Sequence, residues 1–468
     1  MRWTRNRVLV LVSICVLCAI VRVTVALAIA DPNPPVDPLN YDRIARNLLD
    51  RGVMAMPGQP NHPTGLREPL YPAFLAGCYF LFGVQPMAPV IVQSILGSAG
   101  AALFALIVLQ LVGTWRWWIP FLAAGAWLVS PLAPIWAYLM REDLINLALL
   151  GGILLAIRCY RSARVPTGLA ALIGLIVSVS MLVKASAGAI LPVLAAILVI
   201  RWRWRSLLPI AAMGVVIAAC TAPWMYRNYV YHGQYTLAVI RGTTLYLHSG
   251  QPMRLEGLEP VARKIAYQLA QQWPEAGTYT HPQRFPLDTI EGWSHFAWVL
   301  LQRIADDLHV TREQADLIQL RMVSDDIRTS PGSYLARSFV NFGYVTTGGL
   351  VEPLPEWRGY QRGLVRRLGH LARHVVFILV DVLALVGWWV FRRKILSWLL
   401  MSTALVNLAV YSFMTIPYFR YRQHSDLLMM AVIAALAAAG LLKWGRRRSN
   451  ASPPKASRDS VAGSGTAA

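Results

Sequence analysis

Long blocks of apolar residues dominate the pattern of the chain. An apolar helix of about 20 residues is long enough to cross a bilayer. Blocks near this length occur at residues 8–30, 87–112, 117–139, 143–158, 167–183, 186–200, 206–223, 372–391, 395–417 and 425–442. This pattern predicts an all-α polytopic membrane protein with about ten transmembrane helices.

The composition supports a membrane protein and excludes several other classes. The chain is 56% hydrophobic and 14% charged, whereas soluble domains carry about 25% charged residues. The net charge of +21 would suit nucleic acid, but the basic residues form short clusters between apolar blocks and no nucleic-acid-binding motif accompanies them. We therefore expect membrane lipids, and not nucleic acid, as partners. The five cysteines show neither a disulfide framework nor a metal-site spacing.

The basic clusters predict the orientation of the chain, because cytoplasmic loops are enriched in Lys and Arg. If the apolar segment 68–84 lies in the membrane interface, nearly every short cluster falls on one side, and both termini are cytoplasmic. If 68–84 crosses, all the clusters after it move outside. We therefore expect an interfacial helical first outer loop in a multi-pass protein of the plasma membrane. The run 8–30 is too long for a signal-peptide core and is expected to stay as the first span.

This orientation divides the chain into four parts. Residues 1–223 form an N-terminal membrane module with a first outer loop at 31–86, and residues 224–371 form an extracytoplasmic segment. The latter has apolar residues at helical spacing, which predicts a mostly helical outer layer. Residues 372–443 supply the C-terminal membrane helices. The tail 444–468 is rich in Ser, Pro, Gly and Ala, which predicts a disordered cytoplasmic tail.

Acidic residues at the outer ends of the spans are the first candidates for chemistry. Asp37 precedes a short predicted surface helix in the first loop, where a carboxylate serves either a reaction or a helix cap. Glu142 and Asp143 lie at the junction of two spans. Charges flanked by apolar sequence are costly and tend to be functional, although charged residues also mark the ends of membrane helices.

Basic residues that break the charge bias are the second set of candidates. On the predicted outer side these are Lys184, Arg227, Arg420 and Arg422, with Tyr421 between the last two. Outward cations at the membrane surface can neutralise a lipid phosphate, and Arg offers it a bidentate fork. The alternative is that these side chains extend toward lipid headgroups. No Walker loop and no nucleophile-elbow motif is present, so nucleotide and serine hydrolysis have no support.

Four segments together resemble the GT-C glycosyltransferases of the dolichyl-phosphate-mannose-protein mannosyltransferase and aminoarabinose transferase type. They span the chain from the first loop to the last predicted membrane helix. The segments are Asp37-x-x-x-Tyr41, Arg67-Glu68-Pro69-Leu70-Tyr71-Pro72, Pro223-Trp224-x-x-Arg227-Asn228 and Arg420-Tyr421-Arg422. Each is short and degenerate alone, but their order and spacing together are fairly specific.

The resemblance implies an inverting transferase. It would move a sugar from a polyprenyl-phosphate donor to a cell-envelope acceptor (lipid, glycan or protein) on the extracytoplasmic face of a bacterial inner membrane. It implies Asp37 as the catalytic carboxylate and Glu142 with Asp143 as a second carboxylate site. The implied donor-binding residues are Tyr41, Arg67, Tyr71, Lys184, Arg227, Asn228, Arg420, Tyr421 and Arg422. Metal dependence varies among such enzymes, so a divalent metal stays open as a cofactor and no metal ligand is assigned.

Two other functions stay open at the level of sequence. One is a transporter or flippase of lipid-linked glycans, although transporters commonly show paired halves and no internal repeat is visible here. The other is an enzyme like the O-antigen ligases, which also has many spans and a large late outer loop. In that enzyme Asp37 would be dispensable.

Overall fold

The computed structural model describes residues 4–29, 36–56, 62–128, 141–249, 260–271, 290–347, 364–414 and 423–451. Within these ranges the regular structure is helical, apart from an isolated β-bridge between Ala55 and Pro63. Six helical segments of the described chain are long and apolar enough to cross a membrane, and four apolar helices are shorter. The prediction of an all-α polytopic membrane protein is confirmed.

A bundle of apolar helices forms the larger part of the molecule. Its helices are α1 (Arg5–Ile29), α4 (Met87–Val112), α5 (Trp118–Leu128), α6 (Glu142–Arg161), α7 (Thr167–Val183), α8 (Leu191–Trp202), α9 (Leu207–His232), α15 (Leu364–Phe391), α16 (Ile395–Met414) and α17 (Gln423–Ala451). Helix α4 is central and packs against α1, α5, α6 and α17. Its small residues allow close approach, as is usual between membrane helices. Helix α9 continues to His232, beyond the predicted end at 223, and stops where Gly233 adopts a left-handed φ of 69°.

The first outer loop is helical, as predicted. It contains α2 (Val36–Arg51) and α3 (Leu70–Phe82), which pack on each other, and α3 also packs on α4. At 1.5 Å per residue, the 13 residues of α3 extend about 20 Å, which is shorter than the roughly 30 Å hydrocarbon core of a bilayer. The large apolar side chains of Phe80, Leu81 and Phe82 are exposed. This length and exposure suit a helix that lies in the interface.

Basic residues from distant parts of the sequence gather at one end of the bundle. The Arg7 guanidinium lies 5.0 Å from the Trp115 ring centroid. Arg161 donates to Gln110 Oε1 at 3.0 Å, and the Lys394 ammonium donates to the carbonyl of Leu111. These contacts place the start of α1 and the last turns of α4, α6 and α15 at the same end of the bundle. The orientation predicted from loop charge requires these ends to lie on one side. That this end is cytoplasmic stays a prediction.

The segment after α9 forms a helical layer with a hydrophobic core of its own. Its helices are α10 (Arg241–Ser249), α11 (Pro260–Gln271), α12 (Ile290–Asp307), α13 (Arg312–Thr329) and α14 (Pro331–Thr347). The core is built from α11, α12 and α13, with Phe296 and Ile304 of α12 fully buried. Helix α14 packs against α16 of the bundle, so the layer lies against the end opposite the basic clusters.

Candidate functional site

Asp143 is neutralised inside the bundle by an arginine from the first helix. The distance from Arg22 Nη2 to Asp143 Oδ2 is 2.5 Å, and the two side chains are 2% and 5% exposed. A buried charge without a counterion costs several kcal/mol, so each side chain stabilises the burial of the other. Gly97 of α4 provides the space, because a Cβ there would lie 2.8 Å from Arg22 Nη2. Helices α1, α4 and α6 thus meet at this ion pair.

Glu142 faces a different cation. Its Oε1 lies 3.8 Å from Lys184 Nζ, and both side chains are nearly buried. Helix α7 ends at Val183, where Lys184 adopts extended backbone before the short 3-10 helix Ala185–Ile190. The Lys184 ammonium also lies 5.1 Å from the centroid of the Tyr411 ring. The break after α7 therefore directs this ammonium toward α6 and α16.

Glu68 fixes the backbone around Lys184. Its Oε2 accepts a hydrogen bond from Arg141 Nη1 at 2.6 Å, and its Oε1 accepts one from the backbone N–H of Ala185 at 2.8 Å. Arg141 also donates to the carbonyl of Val183 at 3.2 Å. The residues on both sides of Lys184 are therefore held by groups from the first loop and from the start of α6.

Tyr41 lies at the centre of a cation–aromatic cluster. The guanidinium groups of Arg67 and Arg141 each lie 5.4 Å from its ring centroid. The ring of Tyr71 contacts it edge to face, with centroids 5.1 Å apart. Tyr71 is fully buried, and its hydroxyl donates to Gln93 Oε1 of α4 at 3.1 Å. This cluster joins α2, the start of α3 and the start of α6.

Next to Lys184 an open cavity of about 590 Å³ extends between α6, α7, α16 and α17. One part of its wall is polar and carries Lys184, Ser186, Asn407, Tyr411 and His424. The rest is mainly apolar and includes Ile145, Leu149, Val177, Ile190 and Leu428. A cavity with a cation and hydroxyl donors at one part and apolar walls elsewhere suits an amphiphile with an anionic head.

Hydrogen bonds order the polar wall of the cavity. Ser186 Oγ and the Tyr411 hydroxyl are 2.8 Å apart. His424 Nδ1 lies 2.6 Å from Asn146 Oδ1, and both residues are buried. These bonds join α6, α16, α17 and the 3-10 helix, so the polar groups are held in place before any ligand binds.

Arg227 and Asn228 belong to a second cluster around the first loop. Arg227 Nη1 donates to the carbonyl of Thr64 and to Asn228 Oδ1, both at 2.8 Å. Asn228 Nδ2 donates to the carbonyl of Thr236 at 2.8 Å, and Trp224 Nε1 donates to that of Leu237 at 2.9 Å. These residues hold the end of α9 against the first loop and the turn that follows α9.

Most of the predicted residues lie either around Tyr41 and Lys184 or around Arg227. The structure does not describe all of the predicted side chains. Arg420, Tyr421 and Arg422 lie outside the described residues. Asp37 lies in the first turn of α2, four residues before Tyr41, and its side chain lies outside the described part. The positions of these four side chains therefore stay predictions.

Several residues of the site were not predicted from the sequence. Arg22 is a single basic residue inside an apolar helix, and its partner Asp143 is 121 residues away. Gln93, Asn146 and Tyr411 are polar residues within apolar helices. In the sequence such residues look like ordinary polar contacts between helices. The signal that could have drawn attention to Arg22 is the cost of a charge inside a predicted span.

The described residues contain no group of three or more His, Cys, Asp or Glu side chains arranged to hold a metal ion. The described side chains therefore do not form a fitted metal site.

Comparison with known proteins gives a small set of similarities. No protein-family model matches the chain, and no curated protein matches it. Two crystal structures of ArnT from Cupriavidus metallidurans are similar, one bound to undecaprenyl phosphate with a TM-score of 0.41 and one in the apo state with a TM-score of 0.39. Each is 16% identical over 95% of this chain and 81% of the other. A similarity of this size carries no argument about function, which has to come from the site itself.

Proposed function

We propose that the chain is a GT-C type membrane glycosyltransferase that transfers a sugar from a polyprenyl-phosphate donor to a cell-envelope acceptor. The observation that carries the proposal is the cavity beside Lys184, which combines a buried ammonium and ordered hydroxyl donors with apolar walls. A polyprenyl phosphate has this chemistry, with a charged head and a hydrocarbon chain.

The proposed reaction needs few groups from the protein. The bond between the sugar C1 and the phosphate oxygen breaks, and a bond forms between C1 and an acceptor hydroxyl oxygen. The hydroxyl proton passes to a carboxylate, and the polyprenyl phosphate leaves with one more negative charge. A fixed cation at the leaving phosphate stabilises that charge as it develops, and in this proposal Lys184 is that cation.

The carboxylates take separate roles in the proposal. Asp37 is the proton acceptor, on the resemblance of its segment. Residues four apart in a helix share a face, so Asp37 belongs to the face of α2 that carries Tyr41. Glu142 is 3.8 Å from Lys184 and orients its ammonium, and Asp143 is paired with Arg22. Glu142 and Asp143 are thus the second carboxylate site, and each acts on a different cation.

In the proposal the predicted residues Arg67, Arg420 and Arg422 complete the donor site together with Arg141, which the sequence did not predict. Arg67 and Arg141 lie on the two sides of the contact between the first loop and α6. Arg420 and Arg422 precede α17, whose first turns carry His424 in the cavity wall. In the proposal these arginines add to the positive charge around the phosphate. The site opens on the extracytoplasmic face, and transfer inverts the anomeric carbon.

The proposal is tested by comparing cell-envelope glycans and lipids by mass spectrometry in a deletion strain complemented with variants. We expect the strain to lack one sugar modification, the wild-type chain to restore it, and Asp37→Asn to fail, since loss of a general base costs on the order of 10²–10⁴-fold in rate. Asp50→Asn is the matched control, because Asp50 is an exposed acid of the same helix.

Three outcomes would contradict the proposal. An unchanged envelope in the deletion strain would remove the transferase function. Full restoration by Asp37→Asn would remove Asp37 from the reaction and favour a ligase that does not need it. Accumulation of the intact lipid-linked glycan on one face of the membrane would favour a flippase.

A further inference from the structure

A second cavity lies where the first loop meets the outer layer, away from Lys184. It has a volume of about 390 Å³ and is lined by His62, Thr64, His232, Thr311 and Glu313, with Met56, Pro63 and Tyr231. The first loop, the last turn of α9 and the first turn of α13 each supply part of the wall. The sequence motifs do not include this set of side chains.

Glu313 organises the cavity. Its Oε1 accepts hydrogen bonds from Thr64 Oγ1 at 3.0 Å and from the backbone N–H of Gly65 at 3.1 Å. Glu313 is only 5% exposed and lies in the first turn of α13. Thr311 and Gln314 form reciprocal side-chain-to-backbone bonds that begin the same helix. The wall is therefore fixed from the side of the outer layer.

His232 gives the cavity an unsatisfied polar group. Its Nε2 is buried and has no hydrogen-bond partner among the described residues. Its ring packs against Gly65, where a Cβ would lie 2.8 Å from the ring Cδ2. Buried polar atoms are nearly always hydrogen-bonded, so this nitrogen indicates a ligand or water in the cavity.

The chemistry of the lining favours a neutral ligand rich in hydroxyl groups. Two imidazoles, two threonine hydroxyls and a carboxylate supply both donors and acceptors. The lining contains no Lys or Arg that would bind an anion directly. Arg227, which donates to the carbonyl of Thr64, and Arg312 lie near enough to Glu313 to offset its charge. A sugar ring presents hydroxyl groups that match the donors and acceptors of this lining.

The loop residues 64–68 connect this cavity to the cation site. Thr64 lines the cavity, while Glu68 binds Arg141 and the N–H next to Lys184. Four residues of chain extend at most about 14 Å, so Thr64 and Glu68 lie within that distance. This is the scale of a short oligosaccharide, which could place one sugar here and a neighbouring hydroxyl near the donor phosphate.

We propose that this cavity is the acceptor subsite and binds a neutral sugar unit of a glycan or glycolipid acceptor. The proposal rests on the proposed function and deepens it by naming the acceptor class. His62, His232 and Glu313 bind the hydroxyl groups, and Tyr231 packs at the rim. The anionic part of the reaction stays at Lys184.

The test is saturation-transfer NMR on the full chain in lipid nanodiscs. The probes are the neutral methyl pyranosides of glucose, galactose, mannose and N-acetylglucosamine, with inorganic phosphate as the anionic competitor. We expect at least one glycoside to bind, and His62→Asn and His232→Asn each to weaken its binding by about fivefold, the size expected for one lost hydrogen bond. His62 is exposed, so its replacement leaves the packing intact.

His309→Asn is the matched control. His309 is an exposed histidine of the outer layer with a φ of 54°, a conformation that Asn tolerates. We expect this variant to bind the glycoside as the wild type does, and phosphate not to compete. Absence of binding by every glycoside, binding by both cavity variants as tight as that of the wild type, or displacement by phosphate would overturn the acceptor subsite. Polyprenyl-phosphate binding is measured in parallel on the same sample. If it persists in any of those cases, the proposed function stands and only the acceptor subsite falls.

Discussion

Arg22 of α1 and Asp143 of α6 form a buried ion pair, with Arg22 Nη2 2.5 Å from Asp143 Oδ2. The next residue toward the N-terminus, Glu142, contacts Lys184. One turn of α6 therefore binds two cations from two other helices. The ion pair fixes the rotation of that turn of α6. The rotation of the turn then fixes the position of the Glu142 carboxylate beside Lys184. In the proposed function Arg22 is thus a positioning residue for the site and not a ligand of the donor.

Removal of Arg22 tests the ion pair directly. Arg22→Met leaves Asp143 as an uncompensated buried charge, so we expect a loss of about 3–5 kcal/mol in the free energy of unfolding. The double variant Arg22→Met, Asp143→Leu should recover most of that loss, because it removes both charges. Unfolding of the purified protein in mild detergent measures both values. Equal stability of the wild type and the single variant would show that the pair contributes nothing.

Gly97 is expected to be intolerant of a side chain. A Cβ there would lie 2.8 Å from Arg22 Nη2 and 3.1 Å from Asp143 Cγ. Gly97→Ala should therefore displace the pair and lower the thermal unfolding midpoint. Gly151→Ala in α6 is the control, since a Cβ there meets no atom within 4 Å, and helical Ala is favoured over Gly by about 0.5–1 kcal/mol. Equal midpoints for the two variants would contradict the close packing at Gly97.

Glu68 is expected to act on donor affinity through Lys184. Glu68→Gln weakens the bond to Arg141 and loosens the backbone at Ala185. Since hydrogen bonds to charged groups contribute about 1.5–3 kcal/mol, we expect at least about tenfold weaker binding of a synthetic polyprenyl phosphate. The unfolding midpoint should change less than the affinity does. Asp325→Asn, at an acid of α13 in the outer layer, serves as the control and should bind normally. Unchanged affinity in Glu68→Gln would remove Glu68 from this role.

Asp316 gives the outer layer a dependence on pH. Its carboxylate accepts hydrogen bonds from the N–H groups of Gly242 and Thr243 at the start of α10. Burial is the largest influence and raises the pKa of Asp316 above its ordinary value of 3.8. The unfolded chain has the ordinary pKa of 3.8 and the folded chain has the raised pKa. At a pH between the two, folded Asp316 keeps a proton that the unfolded chain has released. The contribution of Asp316 to stability is therefore fully present below pH 3.8 and is lost as the pH rises through the raised pKa.

Asp316→Asn removes that titration. We expect the slope of the thermal unfolding midpoint against pH to flatten in this variant over the range just above pH 3.8. Asp325→Asn on the same helix should keep the wild-type slope. A wild-type slope in Asp316→Asn would assign the pH dependence to another group.

The helices could be predicted from the sequence because apolar blocks of membrane length are strong local signals. The interfacial position of α3 stays a prediction from loop charge, and the length of its 13 residues agrees with that prediction. Glu142 and Lys184 were predicted as site residues because charge at the end of an apolar helix stands out. Arg22 was missed, since no local pattern indicates a partner that lies 121 residues away.

Other parts of the site depend on tertiary contacts that sequence spacing does not encode. Arg227 was expected at a phosphate, from its charge on the predicted outer side and from the resemblance, and in the structure its guanidinium binds the carbonyl of Thr64. The cavity of His62, His232 and Glu313 is lined by three segments that lie far apart in the sequence. Such a convergence follows from the packing of the outer layer on the bundle and not from any one segment.

Donor binding at Lys184 is the most direct test of the proposed function. Affinity for a synthetic polyprenyl phosphate, and for the matching polyprenol without phosphate, is measured on the full chain in nanodiscs. The variants are Lys184→Gln and, as a control, Lys443→Gln, whose lysine is exposed near the other end of the bundle in α17. We expect the wild type and Lys443→Gln to prefer the phosphate, and Lys184→Gln to lose at least about tenfold of that affinity. Equal affinity of Lys184→Gln and wild type, or no preference for the phosphate over the polyprenol, would contradict a lipid-phosphate site at Lys184.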